Sequence, residues 1–343
     1  MKIIITGGTG GTNVGDALFK AALNSNLKPV FVNMQSAFEA SKLIKSINWH
    51  LRGRYPSRLQ AFSQNIVQRC LAQQTEVLMT TGIAPISHQA LSELSDRGIK
   101  KINFLTDDPW NPVLYSPWFL KALPYYDIVF SPRRDNINDL LQLGCSHVQY
   151  LPFGFNEELF YPETSITLEE KYQYDCDVIF VGGADSDRRP WINALICAGL
   201  KVNLYGAYWE RYPETKSSLR GYANPRTLRL ATRTAKVALC LVRKSNRDGH
   251  VMRSFEIPAI GGCMLTEDTQ EHREIFGDEG KAVVYFRTIP EMVEKAQWLL
   301  NHDTERHRLA QNAHLLIAQG RHTYKDRLKT MLSLEEYHLQ LQS

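Results

Sequence analysis

Short apolar runs alternate with longer amphipathic segments along the whole chain. The runs that predict buried strands lie at residues 3–5, 29–32, 76–80, 101–105, 126–130, 148–151, 177–181, 201–205, 237–242, 263–266 and 282–286. Helical patterns occupy most of the intervals between them. Because strands that alternate with helices form parallel sheets covered on both faces, the pattern predicts an α/β chain with two doubly wound layers.

The chain has 343 residues, a length for which two domains are the natural expectation. A polar, charged stretch at 163–175 separates the first six predicted strands from the rest. We therefore expect a first domain over residues 1–162 and a second over 163–320. Residues 321–343 are predicted to contain a last helix.

Composition limits the classes of partner and compartment. Hydrophobic residues make up 43% and charged residues 22%, which is ordinary for a globular protein, and a net charge of +4 is too small to indicate nucleic-acid binding. No apolar run approaches the ~18 residues of a membrane span, and no secretory leader pattern opens the chain. Scattered cysteines without a Cys-x-x-Cys pair predict buried free thiols. We expect a cytoplasmic protein.

A basic patch interrupts the helical region 35–75, at His50, Arg52, Arg54 and Arg58. Two interpretations remain open from the sequence. The patch is either an ordinary solvated surface or a surface that binds an acceptor or faces a membrane. Peripheral contact with an anionic membrane is compatible with it.

The residues after the strand at 237–242 combine two acids with a glycine loop and a helix start. Asp248 and Gly249 form the loop, Ser254 is predicted to cap a helix that begins near Phe255, and Glu256 lies in its first turn. Pro258 fits such a late start, because the first helical N–H groups have no intrahelical partner.

The same helix start offers backbone N–H groups to an anion. The groups that we expect to face a diphosphate belong to Gly249, His250, Val251 and Met252. Phosphate-binding amides beside two acids suit a ligand with a diphosphate and several hydroxyls. A nucleotide sugar is such a ligand. An ordinary β–loop–α unit with a surface acid is the alternative.

A second glycine loop follows the strand at 177–181. It contains Gly182 and Gly183 and ends at Arg188 and Arg189. Guanidinium groups bind phosphate oxygens in a bidentate manner, so one of these arginines is predicted to contact the donor diphosphate. The alternative is a surface arginine pair.

The first strand is followed by a third glycine loop, which contains Gly10 and Gly11 and can bring backbone close to a phosphate or sugar. This loop superficially matches a dinucleotide-binding fingerprint. The next strand ends at Asn33, where an acid or arginine would have supported a ribose contact. An NAD(P)-dependent nucleotide-sugar epimerase or oxidoreductase therefore remains only an alternative.

Two acids, Asp107 and Asp108, follow the strand at 101–105 and directly precede Pro109. Functional residues of open parallel sheets gather at the carboxyl ends of strands. The two acids are thus candidates to hydrogen-bond an acceptor hydroxyl or to act as a base. A turn without catalytic function is the equal alternative, because Asp-Asp-Pro is good turn chemistry.

These motifs together resemble the retaining glycosyltransferases of family 4. The acid pair Asp248 and Glu256 resembles the Glu-x7-Glu pattern of that family, with Asp in place of the first Glu. Arg253-x-Phe255-Glu256 and the Asp-Asp-Pro at Asp107 are closer to the CgeB-like (spore-maturation) branch. The resemblance implies the GT-B fold, in which two Rossmann-like domains face a cleft and the C-terminal helix crosses back to the first domain.

The resemblance also implies roles. Glu256 would contact the nucleotide ribose and Asp248 the sugar hydroxyls of a UDP- or GDP-type donor, and the first domain would hold an unidentified acceptor (glycan, lipid or protein). The amide groups and an arginine would offset the diphosphate charge, so that neither a divalent metal nor a permanently bound cofactor is expected. Retention of anomeric configuration is implied. A catalytically inactive scaffold that binds a nucleotide sugar or a partner is the further alternative.

Overall fold

The computed structural model describes residues 1–342, with side chains through residue 333, and divides into two compact units. Of the described residues, unit 1 comprises 1–152, 245–247 and 324–342, and unit 2 comprises 153–244 and 248–323. The chain therefore leaves the second unit for three residues within the loop that precedes Asp248.

Unit 1 contains a six-stranded, fully parallel sheet in the order β2-β1-β3-β4-β5-β6. The strands are β1 Lys2–Gly7, β2 Lys28–Asn33, β3 Val77–Thr81, β4 Lys100–Phe104, β5 Ile128–Ser131 and β6 Val148–Tyr150. The helices are α1 Val14–Leu23, α2 Lys42–Leu51, α3 Leu59–Ala72, α4 His88–Asp96, α5 Pro117–Ala122 and α6 Asp135–Gln142. The central strands are buried along their length, as the near-continuous apolar runs predicted.

Unit 2 contains a second six-stranded parallel sheet, in the order β12-β11-β10-β7-β8-β9. Its strands are β7 Val178–Val181, β8 Val202–Tyr205, β9 Leu219–Gly221, β10 Val237–Cys240, β11 Met264–Glu267 and β12 Val284–Phe286. Its helices are α7 Leu168–Tyr174, α8 Arg189–Cys197, α9 Pro225–Thr234, α10 Arg253–Ile260, α11 Gln270–Phe276, α12 Ile289–Asn301 and α13 Asp303–Gln319. A last helix, α14 Tyr324–Gln342, packs against α1 in unit 1.

The α/β prediction with two doubly wound sheets is confirmed. The structural division falls at 152/153, earlier in the chain than the predicted boundary at 162/163, and α14 begins at Tyr324. Helix α7 lies inside the polar stretch that the sequence suggested as a boundary. Thr167 and Glu170 form a capping box there, which starts a helix without any apolar face to bury.

The start of α10 was predicted wrongly. The helix begins at Arg253 rather than near Phe255, so Ser254 is not its N-cap. Pro258 consequently lies inside the helix rather than among its first free N–H groups. The helix ends at Gly261, whose φ of 85° is the left-handed conformation typical of a C-terminal glycine. Among the described helices, none is long and apolar enough to span a bilayer.

Candidate active site

In unit 2, the order of the strands brings two of the predicted loops to one edge of the sheet. Strand β7 pairs in parallel with both β10 and β8, so the chain reverses its direction of strand addition beside β7. The glycine loop at Gly182 follows β7, and the loop with Asp248 follows β10. Both loops therefore lie at the carboxyl edge, at the topological switch point where ligands of open α/β sheets bind.

The glycine loop needs its glycines because the backbone of the next strand lies against it. The Gly182 amide donates to the Tyr205 carbonyl at 2.8 Å. Gly206 has a φ of 143°, and a Cβ at this position would overlap the Gly182 carbonyl. Only glycine combines that backbone conformation with so close an approach.

Arg188 is the buried cation of this loop. Its side chain is held by the Gly183 carbonyl, which accepts from Nη1 at 3.3 Å, and by Asp185 at 3.6 Å. The residue is only 8% exposed, and its Nε has no hydrogen-bond partner among the described residues. Burial lowers the pKa of the Arg188 guanidinium, whereas the nearby Asp185 and Asp248 carboxylates raise it. An anion that accepts from this group would complete its hydrogen bonding.

Arg189 points elsewhere although it is the next residue. Its Nε donates to Glu214 at 2.7 Å, and its guanidinium lies over the Tyr212 ring at 4.7 Å. The sequence could not choose between the two arginines. The structure places Arg188 in the glycine loop and Arg189 at the first position of helix α8, where its side chain is half-exposed.

Glu256 is buried in the first turn of α10, as predicted, and forms an ion pair with Arg253. The Nε of Arg253 also donates to the Val181 carbonyl, at 3.4 Å, at the end of β7. The first turn of α10 is therefore attached to the start of the glycine loop. A ribose that binds Glu256 would share this carboxylate with Arg253.

A buried polar cluster that the sequence did not reveal holds the loop before α10, and it engages the Val251 amide, which was wrongly predicted to face a diphosphate. Ser254 Oγ accepts from the Val251 amide at 3.1 Å and contacts His272 Nε2 at 2.8 Å. Nδ1 of His272 lies 2.8 Å from the Glu267 carbonyl, and Thr269 Oγ1 donates to the Gly249 carbonyl at 2.5 Å. The loop that precedes α10 is thereby held on the start of α11.

His250 and Asp248 have different environments. His250 is fully buried, lies against Phe153 and Phe255, and accepts a hydrogen bond at Nε2 from the Phe153 amide at 3.1 Å. Nε2 of His250 is therefore bonded to the backbone of the protein itself rather than to a ligand. Asp248 is partly exposed and lies within electrostatic range of Arg188. Met252, predicted to offer an amide, is the residue that directly precedes the helix.

Glu267 is a further candidate residue that the sequence did not reveal. It ends β11, its Oε2 accepts from the Val242 amide at 2.7 Å, and burial raises the pKa of its carboxyl group. Arg188 and Lys244 act on it electrostatically. The rule that strand ends carry function could have found it, because Glu267 ends the strand beside β10.

In unit 1 the two acids after β4 have separate environments. The Asp108 carboxylate, 1% exposed, accepts from Arg247 Nε at 2.6 Å and Nη2 at 3.1 Å, from the Trp110 amide at 3.0 Å and from Asn136 at 3.0 Å. These bonds occupy Asp108. Asp107 is partly exposed, and its one hydrogen-bond partner among the described residues is Thr106, at 3.4 Å. Asp107 is thus the better placed of the two to meet a ligand.

The glycine loop after β1 is exposed at Gly10 and Gly11, whose φ values of 77° and 57° favour glycine. Asn33, which ends β2, donates to Thr9 Oγ1 at 3.2 Å. Dinucleotide-binding domains carry an acid at this position, which binds the ribose. Here the position is occupied by Asn33, and its side-chain amide is bonded to the glycine loop. No group of metal-binding side chains occurs within the described part of the chain.

Comparison with known proteins finds similar chains by family model and by fold. Residues 188–333 match a family model described as glycosyl transferase-like. A sucrose-phosphate synthase from Thermosynechococcus elongatus is similar in structure, with a TM-score of 0.70 and 11% identity over 99% of each chain. The chain has the GT-B glycosyltransferase fold. No curated protein matches it significantly by sequence.

Other solved structures resemble this chain at the same level. HepE from Anabaena, solved with UDP, has a TM-score of 0.64 and 11% identity over 98% of this chain and 100% of its own. A putative UDP-N-acetylglucosamine 2-epimerase from Listeria monocytogenes has a TM-score of 0.61 and 13% identity over 99% and 96%. Identities this low establish the shared fold alone.

Proposed function

We propose that the protein transfers a sugar from a nucleotide-diphosphate donor to an acceptor hydroxyl. The observation that carries the proposal is the buried Arg188 side chain, whose Nε has no partner among the described residues, in a glycine loop at the switch point of unit 2. Asp248 lies near it. The match of residues 188–333 to a glycosyl transferase-like family supports the same reaction class.

Each side chain has a role in this proposal. Arg188 and the amides of Gly249, His250 and Met252 bind the diphosphate and stabilise the charge that develops on it as the bond to the sugar breaks, whereas the Val251 amide is bonded to Ser254. Glu256 binds the ribose, and Asp248 binds sugar hydroxyls. Asp107, in unit 1, is proposed to contact the acceptor hydroxyl.

The finer assignments rest on the motifs. The Arg253-x-Phe255-Glu256 pattern and the Asp107-Asp108-Pro109 turn support the CgeB-like branch, and the acid pair supports retention of configuration. Asp248 is one methylene shorter than the glutamate of family 4, so its contact with the sugar is shifted. HepE was solved with UDP and glucose, and uridine donors are therefore the first to test.

The decisive experiment compares two neighbouring arginines. We expect UDP or GDP to bind the wild type in calorimetry and to raise its melting temperature. Arg188→Gln should weaken this binding by about tenfold or more, since a charge-assisted hydrogen bond contributes about 1.5–3 kcal/mol. Arg189→Gln is the matched control and should bind as the wild type does, because that side chain pairs with Glu214.

Three results would contradict the proposal or change it. Equal weakening by both variants would assign the effect to general charge rather than to the glycine loop. Binding of NAD(P) alone, unaffected by Arg188→Gln, would move the site to the loop of Gly10 and Gly11. Nucleotide binding without release of nucleoside diphosphate from any donor and acceptor pair would identify an inactive scaffold.

A further inference from the structure

Helix α2 differs from a helix that packs its apolar stripe on a domain core. Asn48 is its one buried residue, and this side chain donates to Ser57 Oγ at 2.9 Å. Arg52 donates to the Asn48 amide oxygen at 3.4 Å. A surface helix ordinarily turns its apolar stripe inward. In α2 the one buried side chain is polar, and the other nine residues of the helix are exposed.

The apolar side chains of α2 face solvent. Leu43 is 71% and Leu51 79% exposed, and Ile44 and Ile47 are exposed as well. Spacings of three, four and seven residues place these four side chains on one stripe of the helix. The stripe is built into unit 1, because Ser41 caps the helix and Arg54, which follows it, donates to two backbone carbonyls of the loop at 112–115.

Basic residues dominate the charge around this stripe, although one of them, Arg58, pairs with Glu39 at 2.9 Å. Residues 40–75 contain no acidic residue, and their basic residues are Lys42, Lys45, Arg52, Arg54, Arg58 and Arg69. Lys42 and Lys45 lie on the opposite side of α2 from the apolar stripe. A helix with an apolar face and a lysine-bearing polar face is the arrangement that lies in the interface of a bilayer.

We propose that the apolar stripe of α2, formed by Leu43, Ile44, Ile47 and Leu51, docks unit 1 on an anionic membrane surface. The four side chains enter the headgroup region and the basic residues around them attract acidic lipids. A second copy of the chain fits this stripe less well, because it would bring two sets of like charges together. An anionic bilayer supplies both the apolar and the acidic partner.

Vesicle sedimentation of the full chain tests the proposal. We expect the wild type to sediment with vesicles of phosphatidylglycerol and phosphatidylcholine, and much less with phosphatidylcholine alone. The double variant Leu43→Glu/Ile47→Glu should lose about tenfold or more of the binding, since it exchanges two apolar anchors for two charges that the surface repels. Lys42→Gln/Lys45→Gln should lose roughly fivefold for each lysine at low salt.

A matched control lies on unit 2. Leu168 of helix α7 is 84% exposed, beside Glu169 and Glu170, and Leu168→Glu should sediment as the wild type does. The variants change exposed side chains, and thermal unfolding confirms that each is folded. Absence of wild-type binding, equal binding to neutral vesicles, or full binding by Leu43→Glu/Ile47→Glu would overturn the proposal. A dimer in light scattering that this variant dissociates would assign the stripe to self-association.

Discussion

At the scale of the residue, His272 shows how burial converts a titratable group into a structural one. It is fully buried between the start of α10 and the end of β11, and desolvation lowers its pKa from 6.5 to about 4. The neutral ring holds Ser254, which in turn holds the Val251 amide. The geometry of the candidate phosphate site therefore depends on a fully buried histidine.

This environment predicts a pH dependence of stability. The unfolded chain protonates His272 below pH 6.5, whereas the folded chain resists protonation until about pH 4. The stabilisation is complete above pH 6.5 and is lost as the pH falls to 4, amounting to roughly 3 kcal/mol. We expect the unfolding free energy of His272→Asn, from denaturant titration, to fall less steeply across this range.

His307→Asn is the control for that experiment, because His307 is exposed. Its unfolding free energy should follow that of the wild type at each pH. Parallel curves for the wild type and His272→Asn between pH 6.5 and 4 would refute the assigned protonation state.

At the scale of the element, the loop after β4 separates a structural acid from a candidate functional one. Asp108 anchors Arg247, whose φ of 51° is left-handed and whose guanidinium also pairs with Asp139 at 2.7 Å. These hydrogen bonds raise the pKa of Arg247, with Asp108 as the main cause. The segment 245–247 thereby belongs to unit 1, directly before Asp248.

The two neighbouring acids should respond differently to the same substitution. Asp108→Asn should lower the unfolding free energy by about 1–3 kcal/mol, because it leaves Arg247 with a weaker buried acceptor. Asp107→Asn should change it by less than about 0.5 kcal/mol, as is usual for a residue outside such a network. Sugar transfer by Asp107→Asn should nevertheless fall.

Denaturant titration and a transfer assay on both variants check this prediction. A large loss of stability in Asp107→Asn, or a stable Asp108→Asn, would reverse the assignment of the two acids. Full transfer activity in Asp107→Asn would remove this residue from the proposed mechanism.

At the scale of the whole molecule, two parallel sheets of six strands each present the candidate site residues on the loops after the strands. In unit 2 the diphosphate charge is proposed to be balanced by Arg188 and by backbone amides. Turnover by the complete enzyme should then be independent of a divalent metal.

The corresponding measurement is sugar transfer and nucleoside diphosphate binding in excess EDTA. Both should remain within about twofold of their values with Mg²⁺, because a protein-supplied cation replaces the metal in charge stabilisation. A loss of activity in EDTA that Mg²⁺ restores would contradict the metal-independent mechanism. If EDTA abolished sugar transfer but left nucleoside diphosphate binding unchanged, the metal would be required for the chemical step and not for binding.

The sequence by itself determined the α/β class, the succession of strands and the loops that could carry function. These features follow from local periodicity, glycine positions and strand ends, which need no tertiary contact. It did not locate the start of α10, because Ser254 is a plausible cap until His272 and the Val251 amide engage its hydroxyl.

Only the tertiary structure distinguished equivalent neighbours in the sequence. Arg188 and Arg189, like Asp107 and Asp108, have the same chemistry and differ in what surrounds them. Glu214 binds Arg189, and Arg247 binds Asp108, through contacts between residues far apart in the chain. Likewise the exposure of Leu43 and Leu51 follows from which side of α2 meets unit 1. A helical pattern specifies a stripe, and packing alone decides which way that stripe faces.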